Sequence, residues 1–183
     1  MSRGDTALLV VDVQEKLIGL IPEHTRIVWN IRRLLDAASC LGVPVAGTEH
    51  YPQGLGPTVD ELAARLGHIP SKVAFSCGAC VELFDRFEQE KIDKLLIVGI
   101  ETHVCIQQTA MDAMTAGYRV YVAADAVGSR YVIDHDIALR RMESGGATLA
   151  TTEAAMFEWC RTADTPEFKT ISQLVRESPP AGP

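Results

Sequence analysis

Short, almost wholly apolar segments alternate along this chain with longer ones in which apolar residues recur every three to four positions. Residues 6–13 (TALLVVDV) form a continuous run rich in Val and Leu, as expected of a parallel strand covered on both faces, and the run is interrupted by one carboxylate, Asp12. Residues 24–41 carry Ile27, Ile31, Leu34, Leu35 and Ala38 at helical spacing, with Thr25 as the expected N-cap and Gly42 just past the end. The alternation continues with a strand at 43–48, a Gly- and Pro-rich loop at 49–57, a short helix at 58–66 and a strand fragment at 73–75. An amphipathic helix at 81–90, a buried strand at 95–100 (LLIVGI), a helix at 104–116 stopped by Gly117 and a strand at 118–124 follow. A helix at 134–144, a strand at 148–151 and helices at 153–160 and 166–176 complete the pattern, before a tail at 178–183 that is expected to fray. Strands and helices of these lengths in strict alternation imply right-handed βαβ units. The expected architecture is a three-layer α/β/α sandwich around a mostly parallel, doubly wound sheet of about six strands.

Composition narrows the partners. A chain of 183 residues without a long linker reads as a single domain, 1–183, and 47% hydrophobic with 22% charged residues excludes a disordered or fibrous chain. The formal net charge of −7, from 24 acidic against 17 basic residues, repels phosphate backbones and anionic lipid, so neither nucleic acid nor a membrane is expected as a partner. The polar start lacks the features of a secretory signal, and no apolar run approaches a membrane span; a cytoplasmic location is the expectation. Five cysteines, an odd number in a domain this large, are expected as reduced thiols.

Doubly wound sheets bind ligands beyond the carboxyl ends of their strands, which directs attention to Asp12, Lys72 and Cys105. Cys105 follows the strand LLIVGI near the start of a helix, where free N–H groups favour a thiolate nucleophile. A carboxylate at Asp12 is placed to accept its proton, and Lys72 to hold both in their charged forms. Each also has a plainer reading, as a small buried thiol, a turn residue and a solvated lysine. Cys77 and Cys80 form a Cys-Gly-Ala-Cys step, which reads as structural or, alternatively, as a thioredoxin-like redox pair; Cys40 and Cys160 read as core. The five histidines lack zinc-like spacing, and no dinucleotide, P-loop or Gly-x-Ser-x-Gly motif is present.

The segments LLVVDVQEKL (8–17), residues 70–75 around Lys72, and VGIETHVCIQQTAMDAMTAGYRVYVAADAVGSR (98–130) together resemble the isochorismatase-like cysteine hydrolases, in the right order and over residues 5–153. The loop TEHYPQGLGPTVDEL and residues 130–153 are similar to the subgroup of isochorismatase domain-containing proteins. The resemblance implies a catalytic triad of Asp12, Lys72 and Cys105, a cis peptide between Ile100 and Glu101, and an oxyanion hole formed by the backbone N–H groups of Glu101 and Cys105. It further implies hydrolysis of a C–N bond in a small-molecule amide through a thioester. The alternatives are a vinyl-ether hydrolase of the isochorismate type, which needs no thiol, and a non-catalytic binding or assembly protein on a degenerate hydrolase fold. Gln14, His50, Tyr51 and His103 fall near the expected mouth as weaker candidate substrate contacts. Nicotinamidases of this superfamily bind a metal through an Asp-x-His pair that Thr48–Glu49–His50–Tyr51 lacks, so no metal and no cofactor are expected. The resemblance also implies a homo-oligomer.

Overall fold

The computed structural model describes residues 1–180; the expected frayed tail, 178–183, therefore lies partly outside the described residues, and its described part, 178–180, is neither helix nor strand. Strand β1 (Thr6–Val11) leads through the single turn α1 (Glu15–Ile18) to the long helix α2 (His24–Leu41) and strand β2 (Val45–His50). Short helices α3 (Pro52–Leu55) and α4 (Asp60–Leu66) precede β3 (Ser71–Lys72), a 3₁₀ turn (Cys77–Ala79), α5 (Val81–Gln89) and β4 (Lys94–Ile100). A π-turn (Thr102–Ile106) opens directly into α6 (Gln107–Thr115), followed by β5 (Arg119–Gly128), α7 (Val132–Ser144), β6 (Thr148–Ala150), α8 (Thr152–Cys160) and α9 (Phe168–Val175).

All six strands run parallel in the order β3-β2-β1-β4-β5-β6, with helices on both faces. The unbroken apolar runs seen in the sequence are a direct consequence. Leu8 and Val10 of β1, with Leu96, Val98 and Ile100 of β4, pack against α2, α4, α8 and α9. The intervening Ala7, Leu9 and Val11, with Leu95 and Ile97, pack against α5 and α6. A period-two strand with both faces covered has no position left for a polar residue. Trp159 and Phe87 are the largest side chains fully buried in these two cores. Among the described residues no helix is long and apolar enough to cross a membrane.

The differences from the expected boundaries have local causes. The apolar residues Val73 and Phe75 suggested a strand at 73–75, but β3 ends at Lys72 and these two side chains are 81% and 48% exposed. Strand β5 runs on to Gly128 because a register shift between Ile97 and Gly99 lets Val127 and Gly128 pair with the end of β4. Thr25 is not the cap of α2; the helix starts from Glu23, in the left-handed region at φ 54° and without a side-chain cap, whereas Gly42 does close it at φ 70°.

The chain winds outward from β1 to β2 and β3, then returns to lay β4 along the other side of β1. The sheet's switch point therefore falls between β1 and β4, the place beyond the strand ends where doubly wound sheets bind their ligands. Gly99 makes that close pairing possible. Its φ is 118°, and a Cβ there would lie 2.1 Å from the carbonyl oxygen of Val11. Gly99→Ala should lower the unfolding free energy by about 3 kcal/mol or more, measured by urea denaturation, since neither strand has room to retreat. A loss under about 1 kcal/mol would mean that the switch point is more plastic than its geometry implies.

Candidate active site

Strand β1 ends in a left-handed turn at Asp12, φ 55°, a conformation that Asp adopts more readily than the valines around it. The Asp12 amide donates to Thr48 O (3.1 Å), and its carbonyl accepts from the Gln14 amide (2.9 Å). The turn is thus satisfied by backbone bonds alone, and the side chain is left fully buried at the switch point.

Lys72 meets the carboxylate from β3. Its Nζ donates to Asp12 Oδ2 (2.6 Å) and to the carbonyls of Phe75 (2.9 Å) and Ala74 (3.3 Å). An ammonium has three donors, and these three acceptors use all of them. The two carbonyls explain why residues 73–75 leave the sheet after Lys72: the chain folds back over its own lysine. Thr48 Oγ1, from β2, donates to the other carboxylate oxygen, Oδ1, at 2.8 Å and lies 3.4 Å from Cys77 Sγ. Cys105, in the π-turn after β4, lies close enough to the Asp12 carboxyl for each group to perturb the ionisation of the other, and is 5% exposed. Asp12, Lys72 and Cys105 are therefore brought together from the ends of three different strands.

The electrostatics of the cluster differ from the expected thiolate. Burial pushes the Cys105 thiol well above its ordinary pKa; the negative charge of Asp12 pushes the same way, and Lys72 opposes without prevailing. The regular helix α6 starts only at Gln107, so Cys105 precedes it in a wide turn and does not gain a thiolate from the helix end. The resting sulfur is a neutral thiol. Burial raises Asp12 too, while the Lys72 charge and the bonds from Lys72, Cys105 and Thr48 hold it back. Burial works against the Lys72 ammonium, but the charge of Asp12, the hydrogen bond to it and the neighbouring sulfurs together lift the lysine above its ordinary value. The result is an ionised pair whose carboxylate takes up a proton more readily than an exposed Asp.

The weaker expected contacts divide. Gln14 is fully buried; its Nε2 donates to His50 O (3.0 Å) and Gly56 O (2.7 Å), and its Oε1 accepts from His50 N (2.7 Å). Two of these bonds go to His50, the last residue of β2, and one to Gly56, so Gln14 ties the end of β2 to the loop that follows it. His103 is held by Ser129, Nδ1 to Oγ 3.0 Å. His50 stacks on Phe75 with ring centroids 5.2 Å apart, its Nδ1 buried without a partner, and Tyr51 is exposed beside it. The Ile100–Glu101 peptide is cis, and the Glu101 carboxylate accepts from Arg130 N (3.0 Å) and Nε (3.1 Å). Among the described residues no cluster of three or more His, Cys, Asp or Glu is arranged to hold a metal ion.

Two residues of the cluster were not singled out for it in the sequence. Thr48 ends the apolar part of β2 and looks like any strand Thr. Cys77 drew notice only as half of a Cys-x-x-Cys step. Burial pushes the Cys77 thiol up to about 12 and also raises Cys80, the opposite of the lowered thiol that a thioredoxin-like pair uses. None of the five cysteines is disulfide-bonded among the described residues.

Lys72→Met tests the pair. It leaves a buried carboxylate with no countercharge, which should lower stability by about 3–5 kcal/mol at pH 7. The folded-state pKa of Asp12 is raised, so the variant regains stability as pH falls toward the unfolded value, and its deficit in urea denaturation should be smaller at pH 5 than at pH 7. A deficit independent of pH would place the loss in packing alone.

The isochorismatase domain family matches residues 6–154 of this chain. Rat isochorismatase domain-containing protein 2 is 41% identical over 174 residues, covering 94% of this chain and 82% of the relative. The solved structure of MAR1 ribonuclease from Caenorhabditis elegans superposes with a TM-score of 0.91 at 37% identity, covering 100% of this chain and 95% of that one. The structure of YcaC from Escherichia coli, described as an octameric hydrolase of unknown specificity, superposes with a TM-score of 0.87 at 27% identity, over 95% of this chain and 89% of that one. The match spans both sides of the switch point, from the strand that ends in Asp12 to beyond Cys105. This chain belongs to the isochorismatase family.

Proposed function

We propose that this protein is a cysteine-dependent hydrolase that cleaves the C–N bond of a small-molecule amide through a thioester, with Asp12, Lys72 and Cys105 as its triad. The observation that carries this reading is the buried carboxylate of Asp12, which pairs with a fully coordinated ammonium and is electrostatically coupled to the nearly buried Cys105 thiol. Cys105 Sγ attacks the carbonyl carbon as its proton passes to Asp12, and the carbonyl π electrons move onto oxygen. The backbone N–H groups of Glu101 and Cys105 receive that oxyanion. Collapse expels the amine, which leaves with the proton from Asp12, and the thioester remains. Asp12 then takes a proton from water as the hydroxide adds; collapse releases the carboxylic acid, and the thiolate recovers its proton. Lys72 has no free donor, so it takes no part in proton transfer. Its work is to keep Asp12 charged until the thiol gives up its proton.

A vinyl-ether hydrolase would leave the Asp12–Cys105 contact without a use. The relative named a ribonuclease raises a second substrate class, but a net charge of −7 disfavours polyanion binding here. We place the protein as one domain, in a homo-oligomer as the octameric relative suggests, and in the reducing cytoplasm on the strength of its unbridged cysteines.

Ammonia release from a panel of small primary amides tests the reading. At least one amide should be turned over by the wild type, with Cys105→Ala inactive and Asp12→Asn slower by on the order of 10²–10⁴-fold. RNA incubated with the same preparation should show no cleavage that Cys105→Ala abolishes. Turnover that survives Cys105→Ala, or thiol-dependent RNA cleavage, would overturn the proposal.

A further inference from the structure

The hydroxyl of Thr48 has one proton to give and two neighbours to satisfy, Asp12 Oδ1 at 2.8 Å and Cys77 Sγ at 3.4 Å. An ionised carboxylate can only accept, so the Thr48 proton goes to Asp12. The sulfur is then the donor of the second bond, and it is equipped for that: Cys77 is fully buried and stays a thiol across the whole physiological range. The chain of bonds runs from Cys77 S–H to Thr48 O–H to Asp12 Oδ1. Cys77 is fixed in turn by its backbone N–H, which donates to Thr109 Oγ1 at 2.9 Å. Thr109 lies on α6, one turn beyond Cys105. The segment that carries the nucleophile thus also anchors the far end of the chain that holds the base.

We infer that Thr48 and Cys77 are positioning residues for Asp12, a hydrogen-bonded pair that fixes the carboxylate plane and helps keep the base ionised. Lys72 holds only Oδ2, which alone would leave the carboxylate free to rotate about its last bond; Thr48 on Oδ1 removes that freedom. The charged and titratable groups facing Asp12 are Lys72 from β3, Cys77 from the 3₁₀ turn and Cys105 from the π-turn, while Thr48 from β2 is neutral. Among them Cys77 alone has no place in the proposed chemistry, and this assigns it one: donor to the residue that binds the base. A buried thiol suits the task because it donates weakly and carries no charge of its own.

The inference rests on Asp12 acting as the base toward Cys105, and the experiment separates the two. The probe is iodoacetamide on the full-length chain, with the rate of Cys105 alkylation followed by mass spectrometry from pH 4 to 9. In the wild type the rate falls in acid as the carboxylate fills with a proton. Removing a hydrogen bond to a charged carboxylate favours its neutral form, so in Thr48→Val the midpoint of that fall should move up by about one pH unit. Cys77→Ala should move it the same way by about half a unit, while Thr48→Ser and Cys77→Ser return it to the wild-type position. A pair that merely packed would change thermal stability and leave the midpoint in place. If Asp12→Asn keeps the wild-type acid limb, the reading of Asp12 as base fails and the inference falls with it. If Asp12→Asn abolishes the limb while a folded Thr48→Val keeps the wild-type midpoint, only the positioning inference is overturned; a shift in Thr48→Val with none in Cys77→Ala removes Cys77 from it.

Discussion

Taking a carboxylate wholly out of water carries a penalty of several kcal/mol unless charge and hydrogen bonds inside the protein answer it. At Asp12 the answer is assembled from every strand end within reach: an ammonium from β3, a hydroxyl from β2 and a thiol from the turn after β4. The pair is a weak source of net stability, because desolvating the two ions offsets most of their attraction. It is a strong constraint all the same, since no member can be removed without leaving a buried charge unanswered. That constraint explains the odd features nearby. Strand β3 is two residues long because its second residue is the lysine, and the next three fold back to give the ammonium its two carbonyls. The aromatic face of Phe75 is left exposed as a consequence, beside His50 at the edge of the same cluster.

The topology supplies the rest of the constraint. Parallel strands that reverse their order at β1 and β4 bring two strand ends side by side with no helix between them, and Asp12 and Cys105 follow those ends. The approach is tight enough to require a glycine at Gly99, whose missing side chain lets β4 press against the carbonyl of Val11 one residue before Asp12. The pairing of β4 with β5 shifts register at the same point of the strand, between Ile97 and Gly99. Packing at the switch point and placement of the site are thus one problem, solved by one set of residues.

Much of this was legible in the chain, for identifiable reasons. Strands buried on both faces leave continuous Val and Leu runs, and amphipathic crossover helices leave a 3.6-residue period, so the layers and the sheet's parallel character could be read directly. Asp12 stood out because a carboxylate inside an apolar run demands an explanation, and Cys105 because it follows a buried strand. Periodicity could not show that the three side chains converge, which depends on strand order. It also could not reveal Thr48, whose hydroxyl looks like any strand Thr until a carboxylate is placed 2.8 Å away. Local hydrophobicity misplaced β3, because Val73 and Phe75 are apolar for reasons unrelated to the sheet. For Gln14 the sequence could not show that its amide is bonded to His50 at the end of β2 and to Gly56 beyond it.

The protonation state of the thiol ties these strands of argument together. The sequence suggested a thiolate stabilised by a helix end and a lysine, but the lysine's charge is already matched by Asp12, and a second anion beside that carboxylate would be repelled and desolvated. A cluster with one cation supports one anion. In the proposed mechanism the sulfur therefore becomes anionic only as Asp12 becomes neutral, so proton transfer and attack are coupled and the net charge of the cluster never changes. Such a nucleophile is inert at rest, which protects a nearly buried sulfur from casual oxidation, since susceptibility follows thiolate character. It also makes the basicity of Asp12 the quantity on which reactivity turns. Under that proposal every group that touches the carboxylate, Thr48 and through it Cys77 included, acts on the sulfur without touching the substrate.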